Sequence, residues 1–333
     1  MAQERLLKII RRFPERRLLI VGDSIADKFL YGAISRVSRE APVFILRHES
    51  TETVPGGAAN CALNLAALGA NVSLISVAGK DEAGMALREK LAAAGVNVDG
   101  LVLSEKVQTT EKVRILAGHS HSNRQQVIRV DYESAPFKDA SLRETINAIL
   151  KDAISAADAA IISDYNYGLV DEHAIELARE TQRAKKIPVL VDSRFRLSEF
   201  SGLTAATPNE DEVEHLIGEQ IASTAQLEAS ALRLKEKLGY DALLVTRGGQ
   251  GMMLLENNAA PLHIPAVGAD QPVDVTGAGD TVIATFALAL ASESSFADAA
   301  RLANYAGGLV VMKRGTASVT AAELEHSIND LKS

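Results

Sequence analysis

Asp274-Val275-Thr276-Gly277-Ala278-Gly279-Asp280-Thr281-Val282 runs without a break into the apolar stretch 283–291. A short polar, glycine-rich segment followed by such a run reads as a loop that becomes a helix. Glycines at the turn permit positive φ and leave no Cβ in the way of a ligand. The first N–H groups of a helix have no partner inside it, so with the helix dipole they form a site for an anion such as phosphate. Asp280 falls in the first turn. It reads either as an ordinary first-turn acid or as a carboxylate set beside an anion to take a proton from an attacking hydroxyl. The segment alone leaves both readings open.

Composition sets the frame around this loop. At 333 residues and 47% hydrophobic, the chain can bury a large core as one big α/β domain or two smaller ones. A single cysteine, Cys61, excludes intramolecular disulfides and cysteine-based zinc sites and suits a reducing cytoplasm. Residues 1–17 mix charged side chains with Leu and Ile, the pattern of a short amphipathic helix rather than a signal peptide. The longest apolar run, 282–291, is half the ~20 residues that span a bilayer, so a soluble protein with no membrane contact is expected. Net charge −8 without a Lys/Arg stripe argues against a nucleic-acid surface. An anionic ligand would then be held by local backbone donors and a metal.

Upstream, residues 17–23 form an apolar run ending in Gly22-Asp23, the pattern of a buried parallel strand opening into a loop. Ligands of open α/β sheets bind beyond the carboxyl ends of strands, so Asp23 and Asp27 are candidates for holding sugar-like hydroxyls; a helix cap or turn is the other reading of Asp23. Segment 31–47 reads as short edge strands, and 108–131 as a hairpin with the polar tip Gly118-His119-Ser120-His121-Ser122-Asn123. Together they predict a small protruding sheet, a lid or dimer surface, over residues 31–52 and 105–133. His119 and His121 have no third donor and read as solvated rather than metal-bound. Pro55-Gly56-Gly57-Ala58-Ala59-Asn60 again sets glycines before a helix, 61–68. Strands at 72–79, 159–164, 188–192, 203–207, 242–246 and 252–256 alternate with helices at 82–94, 140–156 and 172–185. That order predicts a mostly parallel sheet with helices on both faces. Without repeats or linkers, residues 1–333 read as one domain with a lid.

Asn209 and Glu212, three apart on one helical face, read either as a capping pair or as an amide oxygen and a carboxylate that hold Mg²⁺ through its water shell. Thr246-Arg247-Gly248-Gly249-Gln250-Gly251 is a tight turn whose amides could face a nucleotide. Two helices, 296–313 and 321–331, end the chain, with Asn304 and Gly307-Gly308 facing something that comes close.

The P-loop, dinucleotide and protein-kinase signatures are missing. In order and spacing, however, Gly22-Asp23 with Asp27, Gly56-Gly57 with Asn60, Asn209-x-x-Glu212, Thr246-x-Gly248-x-x-Gly251 and Asp274-x-Thr276-Gly277-Ala278-Gly279-Asp280 resemble the signatures of the ribokinase (PfkB) family of carbohydrate kinases. The resemblance covers nearly the whole chain. It implies a ribokinase-like α/β fold with a small β-sheet lid, ATP and Mg²⁺ as cofactors with a monovalent cation left open, and a sugar or sugar phosphate as substrate. It implies Asp280 as base, with the amides of Gly277, Ala278 and Gly279 as an anion hole. Asp23, Asp27, Gly56, Gly57, Asn60, Arg36, Asp192 and Arg194 would hold the sugar. Thr246, Gly248, Gly251, Thr276, Asn304 and Gly307 would hold ATP, with Mg²⁺ near Asn209 and Glu212. A cytoplasmic homodimer formed through the lid is expected.

Within that family, Ser35-Arg36-Val37-Ser38-Arg39-Glu40-Ala41-Pro42-Val43, the 55–60 segment, Ser163-Asp164-Tyr165 and Gln125-Gln126-x-x-Arg129-x-Asp131 are similar to the bacterial D-glycero-β-D-manno-heptose-7-phosphate kinases, which phosphorylate C1. Asp192-Ser193-Arg194 departs from the Asp-Pro-Lys usual there, and Arg differs from Lys in fork geometry and hydration. The length suggests a version without a fused nucleotidylyltransferase. A ribokinase or fructokinase activity and a non-catalytic sugar or nucleotide sensor are the other readings. The presence of Asp280, the motif glycines and the Asn209/Glu212 pair argues against the sensor.

Overall fold

Aliphatic and β-branched runs bounded by Gly, Asp or Pro form the strands, and amphipathic stretches opened by Asp, Ser or Asn caps form most helices. The computed structural model describes residues 2–118, 124–133, 135–268 and 271–330, so the histidines of the polar tip, His119 and His121, lie outside the described residues. The chain opens with helix α1 (Ala2–Ile10) and strands β1 (Arg17–Gly22), β2 (Ser24–Val37) and β3 (Phe44–Gly57). Next come α2 (Ala58–Ala67), β4 (Asn71–Gly79), α3 (Glu82–Ala93), β5 (Leu101–Ser104), β6 (Thr110–Gly118) and β7 (Gln125–Tyr132). The middle runs through α4 (Ala140–Ala156), β8 (Ala159–Asp164), α5 (Glu172–Lys185), β9 (Val189–Ser193), β10 (Ala205–Ala206) and α6 (Glu210–Ile217). It continues with α7 (Thr224–Leu238), β11 (Ala242–Thr246), β12 (Met252–Glu256) and β13 (Leu262–Ile264). Helices α8 (Ala278–Ala291), α9 (Phe296–Val310) and α10 (Ala321–Asp330) complete it.

Nine strands form one sheet in the order β13-β12-β11-β10-β9-β8-β1-β4-β5, parallel except where β12 meets β11 and β13. The interior strands β1, β8 and β9 are buried almost throughout, as strands covered on both faces must be. One apolar core packs α1, α2, α8, α9 and α10 on one face; a second packs α4, α5 and α7 on the other. Residues 280–291 of α8 are buried on every side. A helix apolar all round belongs inside, and this one lies between α2 and α9.

The remaining strands make a second sheet, β3-β2-β6-β7, with β2 and β6 parallel and the outer pairs antiparallel. Here the outcome differs from the short edge strands expected over 31–47: β2 and β3 are 14 residues each, and β2 has partners on both sides. Register shifts at Tyr31/Gly32 and Ile34/Arg36 absorb the irregular pattern, and Pro42 falls in the connecting turn, where it breaks no ladder. Only Asp23 separates β1 from β2, so the chain steps from the large sheet to the small one within a single residue.

Candidate active site

The start of α8 is set by Gly277, which takes φ +75°; a Cβ there would lie 2.5 Å from Asn60 Nδ2. Glycine meets both demands at once. Asp274 ties the preceding loop down by accepting from the amides of Thr276 and Gly315, each at 2.9 Å. The Ala278 amide is already used, donating to Val275 O at 3.2 Å. Among the described residues, the amides of Gly277, Gly279 and Asp280 have no hydrogen-bond partner. The anion-ready donors are therefore not quite the trio expected, because Ala278 closes the turn itself.

Asp280 is buried, and both carboxylate oxygens are held: Asn60 Nδ2 donates to Oδ2 at 2.7 Å and Tyr165 OH to Oδ1 at 3.2 Å. Asn60 is fixed in turn, since Asn64 Nδ2 donates to its Oδ1 at 3.1 Å and Thr281 Oγ1 donates to Asn64 Oδ1 at 2.9 Å. Burial pushes Asp280 up to about 7 against the opposing pull of these two donors. A carboxyl at that value can exchange its proton near neutral pH.

In front of Asp280 lies a cavity of about 380 Å³, bounded by the carboxyl ends of the large sheet and one face of the small sheet. The small sheet contributes Asp27, Lys112, Arg114 and Arg129; the ends of β9 and β11 contribute Asp192 and Thr246, and the segments beyond the large sheet's strands contribute Arg194, Asn209 and Glu212. Arg114 is ion-paired with Asp27, and Arg129 with Asp131 at 2.8 Å. Lys112 and Arg194 line the cavity and make no direct ion pair among the described residues, although Asp27 and Asp131 act on the lysine, and Asp192 and Glu212 on the arginine, from a distance. Burial lowers the Lys112 pKa, while Asp192 is pushed well above the carboxylate range by burial and by Glu212, Asp280 and Asp164 nearby. An anionic ligand entering here would relieve the lysine's desolvation, since a buried charge is costly until paired.

This geometry can bind a phosphate beside a proton acceptor, and the wider likeness agrees with it. A model of pfkB family carbohydrate kinases matches residues 18–322. The chain belongs to the pfkB family. Relatives include Bifunctional protein HldE of Hahella chejuensis, 43% identical over 319 residues, and that of Caulobacter vibrioides, 42% over 322. These alignments cover 95% and 96% of this chain but 64% and 65% of the relatives, so the chain spans just under two thirds of their length. Among solved structures, Arabidopsis thaliana ribokinase complexed with ribose and ATP aligns over 94% of this chain and 98% of its own, with TM-score 0.72 and 20% identity. Escherichia coli phosphofructokinase-2 in complex with substrates and products aligns over 96% and 100%, with TM-score 0.78 and 19% identity. The fold is thus ribokinase-like: a large, mostly parallel sheet covered by helices, with a smaller separate sheet.

Several expected site residues of this pfkB chain sit elsewhere than on the cavity wall. Asp23, expected to hold sugar hydroxyls, is buried and accepts from three backbone amides, Tyr165 at 2.9 Å, Tyr167 at 3.1 Å and Leu169 at 3.2 Å. It pins the loop after β8. Burial outweighs those donors and pushes it up to about 6. Gly56 makes room for Asp27, whose Oδ2 would be 2.4 Å from a Cβ; Gly57, at φ +58°, does line the cavity. Asn60 meets Asp280 rather than the open space. Arg36 is exposed at the far end of β2, away from the lining.

On the nucleotide side, Thr246 and Thr276 line the cavity, and Gly248 and Gly249 face open space in which a Cβ would touch nothing within 4 Å. A ligand could lie against that turn. Gly251 is different: a Cβ would meet Ile264 O at 2.1 Å, so this glycine serves the strand pairing. Asn304 donates to Pro265 O at 2.8 Å, and Gly308 packs against Val267 O, so what comes close to the α9 motif is the chain's own 265–268 loop. Gly307 likewise faces Val282 and Met252.

Asn209 and Glu212 form a full capping box: Asn209 Oδ1 accepts from Glu212 N at 2.8 Å and Glu212 Oε2 from Asn209 N at 2.9 Å. Both nevertheless line the cavity, and Glu212 keeps its second carboxylate oxygen with Asp192 beside it. Among the described residues no three His, Cys, Asp or Glu side chains gather to hold an ion by themselves. This sparse oxygen set fits Mg²⁺ bound through its waters and a ligand's phosphates.

The residues not foreseen are Lys112, Arg114 and the bond from Tyr165 to Asp280. Lys112 and Arg114 share one face of β6 by the period of two, but only the pairing of β6 with β2 aims that face at Asp280.

Proposed function

We propose that this chain is an ATP-dependent sugar kinase whose acceptor is D-glycero-β-D-manno-heptose 7-phosphate, phosphorylated at C1. The observation that carries the kinase reading is the start of α8, where partnerless amides and the proton acceptor Asp280 meet at one end of one cavity. The acceptor hydroxyl oxygen bonds to the γ-phosphorus, the bond to the departing ADP oxygen breaks, and Asp280 takes the hydroxyl proton. The amides of Gly277 and Gly279 bind the charge that builds on the transferring group. Mg²⁺, when bound, neutralises phosphate charge, and Asn209 and Glu212 would hold it through water.

The heptose 7-phosphate assignment is supported by the motifs in 35–43, 55–60, 125–131 and 163–165, by the 40% and higher identity to the HldE proteins, and by Lys112 and Arg194 on the cavity wall, which suit a substrate bearing its own phosphate. The small sheet would close as a lid over the sugar and keep water from the phosphoryl group. Residues 1–333 would act as one kinase unit, a homodimer through the lid, in the cytoplasm where ATP is made.

Replacing Asp280 by Asn tests the reading. Turnover should fall at least ~100-fold with ATP affinity and folding retained, as for removal of a general base. Near-wild-type turnover would sink it. An ADP-release assay over ribose, fructose, sugar phosphates and heptose 7-phosphate then tests the acceptor: release only with unphosphorylated sugars rejects the heptose assignment, and none with any sugar favours a sensor.

A further inference from the structure

Asp280 is borne by α8, yet each of its carboxylate oxygens is held from another element. Tyr165, in the loop after β8, donates to Oδ1 at 3.2 Å, opposite the Asn60 bond to Oδ2. The loop that carries Tyr165 is anchored by the three amide bonds to Asp23, at the single residue linking the two sheets. Above the Tyr165 ring stands Lys112 of the small sheet, with Nζ 5.2 Å from the ring centroid. Lys112 has no ion pair among the described residues, and its ammonium lies against the ring face.

We propose that Tyr165 is a positioning residue that orients Asp280 for proton transfer, and that Lys112 stacked on its ring couples the small sheet to the base. This rests on the reading of Asp280 as the base. The phenol stays a donor, since burial and the surrounding Asp280, Asp192 and Asp27 keep it protonated. The charged and titratable groups facing Asp280 are Asp27 of β2, Lys112 of β6, Tyr165, Asp192 of β9 and the buried Cys61 thiol of α2. Of these, Tyr165 alone touches the carboxylate. Its bond and the Lys112 charge both favour the ionised form, whereas the other carboxylates oppose it.

The decisive measurement is the pH dependence of kcat at saturating substrates in Tyr165→Phe, which keeps the ring and removes the hydroxyl. Losing a hydrogen bond to the carboxylate should move the acid limb up by about one pH unit. Loss would be about tenfold below the limb and would largely recover at high pH. The substrate's own phosphate titrates equally in both proteins and cancels in the comparison. Lys112→Met should move the limb in the same direction, and Lys112→Arg should restore it. If Tyr165→Phe lowers turnover evenly at all pH values, with the limb unmoved, the orienting role is overturned. If Tyr165→Phe moves the limb and Lys112→Met does not, the coupling to the small sheet is overturned. An active Asp280→Asn enzyme would instead remove the underlying base, so the two failures are told apart.

Discussion

Asp280 shows how one residue can cost stability and still serve the chemistry proposed for it. Its pKa of about 7 in the folded protein exceeds the ~4 of an unfolded aspartate, so between those values the folded chain binds more protons. Stability from this group is therefore full at acid pH and lost as pH rises through about 7; Asp23, at about 6, adds the same sign. Asp280→Asn should accordingly raise the thermal midpoint by a few degrees at pH 8 and leave it nearly unchanged at pH 4.5, which scanning calorimetry would read. Equal shifts at both pH values would contradict the buried, raised carboxyl. Asp23 behaves oppositely on truncation, because its oxygens satisfy three amides, that of Leu169 buried and those of Tyr165 and Tyr167 half-buried. Asp23→Ala should destabilise by ~1–3 kcal/mol in urea unfolding, the range for leaving a buried donor without its partner. A variant that unfolds like wild type but loses sugar affinity would return Asp23 to the sugar side.

Among the elements, two helix starts line the candidate site, and at each a substitution separates the structural demand from the proposed chemistry. At α8, Gly277→Ala forces a Cβ into left-handed backbone and against Asn60 Nδ2. The backbone strain is ~1–2 kcal/mol, and the displaced Asn60 should release Asp280, so turnover should fall more than stability explains. At α6, the capping and metal readings of Asn209 separate cleanly. Asn209→Asp keeps the cap, whereas Asn209→Ala should lose about 1 kcal/mol of stability. If Asn209 also holds the hydrated ion, the Mg²⁺ concentration giving half-maximal turnover rises several-fold in Asn209→Ala and Glu212→Gln. An unchanged Mg²⁺ requirement in both would leave the pair as a cap only.

For the whole molecule, the small sheet decides what is open. Every residue of the edge strand β7 is exposed, including Val127, Ile128, Val130 and Tyr132, and Val37, Val43 and Phe44 expose apolar surface at the end where β2 turns into β3. An unpaired, apolar edge of this kind invites another chain, and a second copy of the same sheet would cover it. Light scattering should give twice the chain mass at micromolar concentration, falling to one chain mass in Ile128→Lys combined with Val130→Lys. A wild-type monomer would remove the dimer from the proposal.

The glycine-to-apolar transition at 274–291, the β-α alternation and the paired-off motifs were legible because they depend on local chemistry: turn residues, caps and periods of 2 or 3.6. Helix α7 shows that such signals can also be passed over, since its Ser223 cap and its closing Gly239 are both plain in the sequence. Other features depend on which strands become neighbours. The parallel pairing of β2 with β6, the face of β6 that aims Lys112 inward, the anchoring of the loop after β8 by Asp23 and the Tyr165 bond to Asp280 all join segments dozens of residues to well over a hundred residues apart. The amino-acid sequence determined that a glycine turn and an acid share the start of one helix. The tertiary structure decided what surrounds that acid, because burial and partners across the two sheets, not its own neighbours in the chain, set its charge and its orientation.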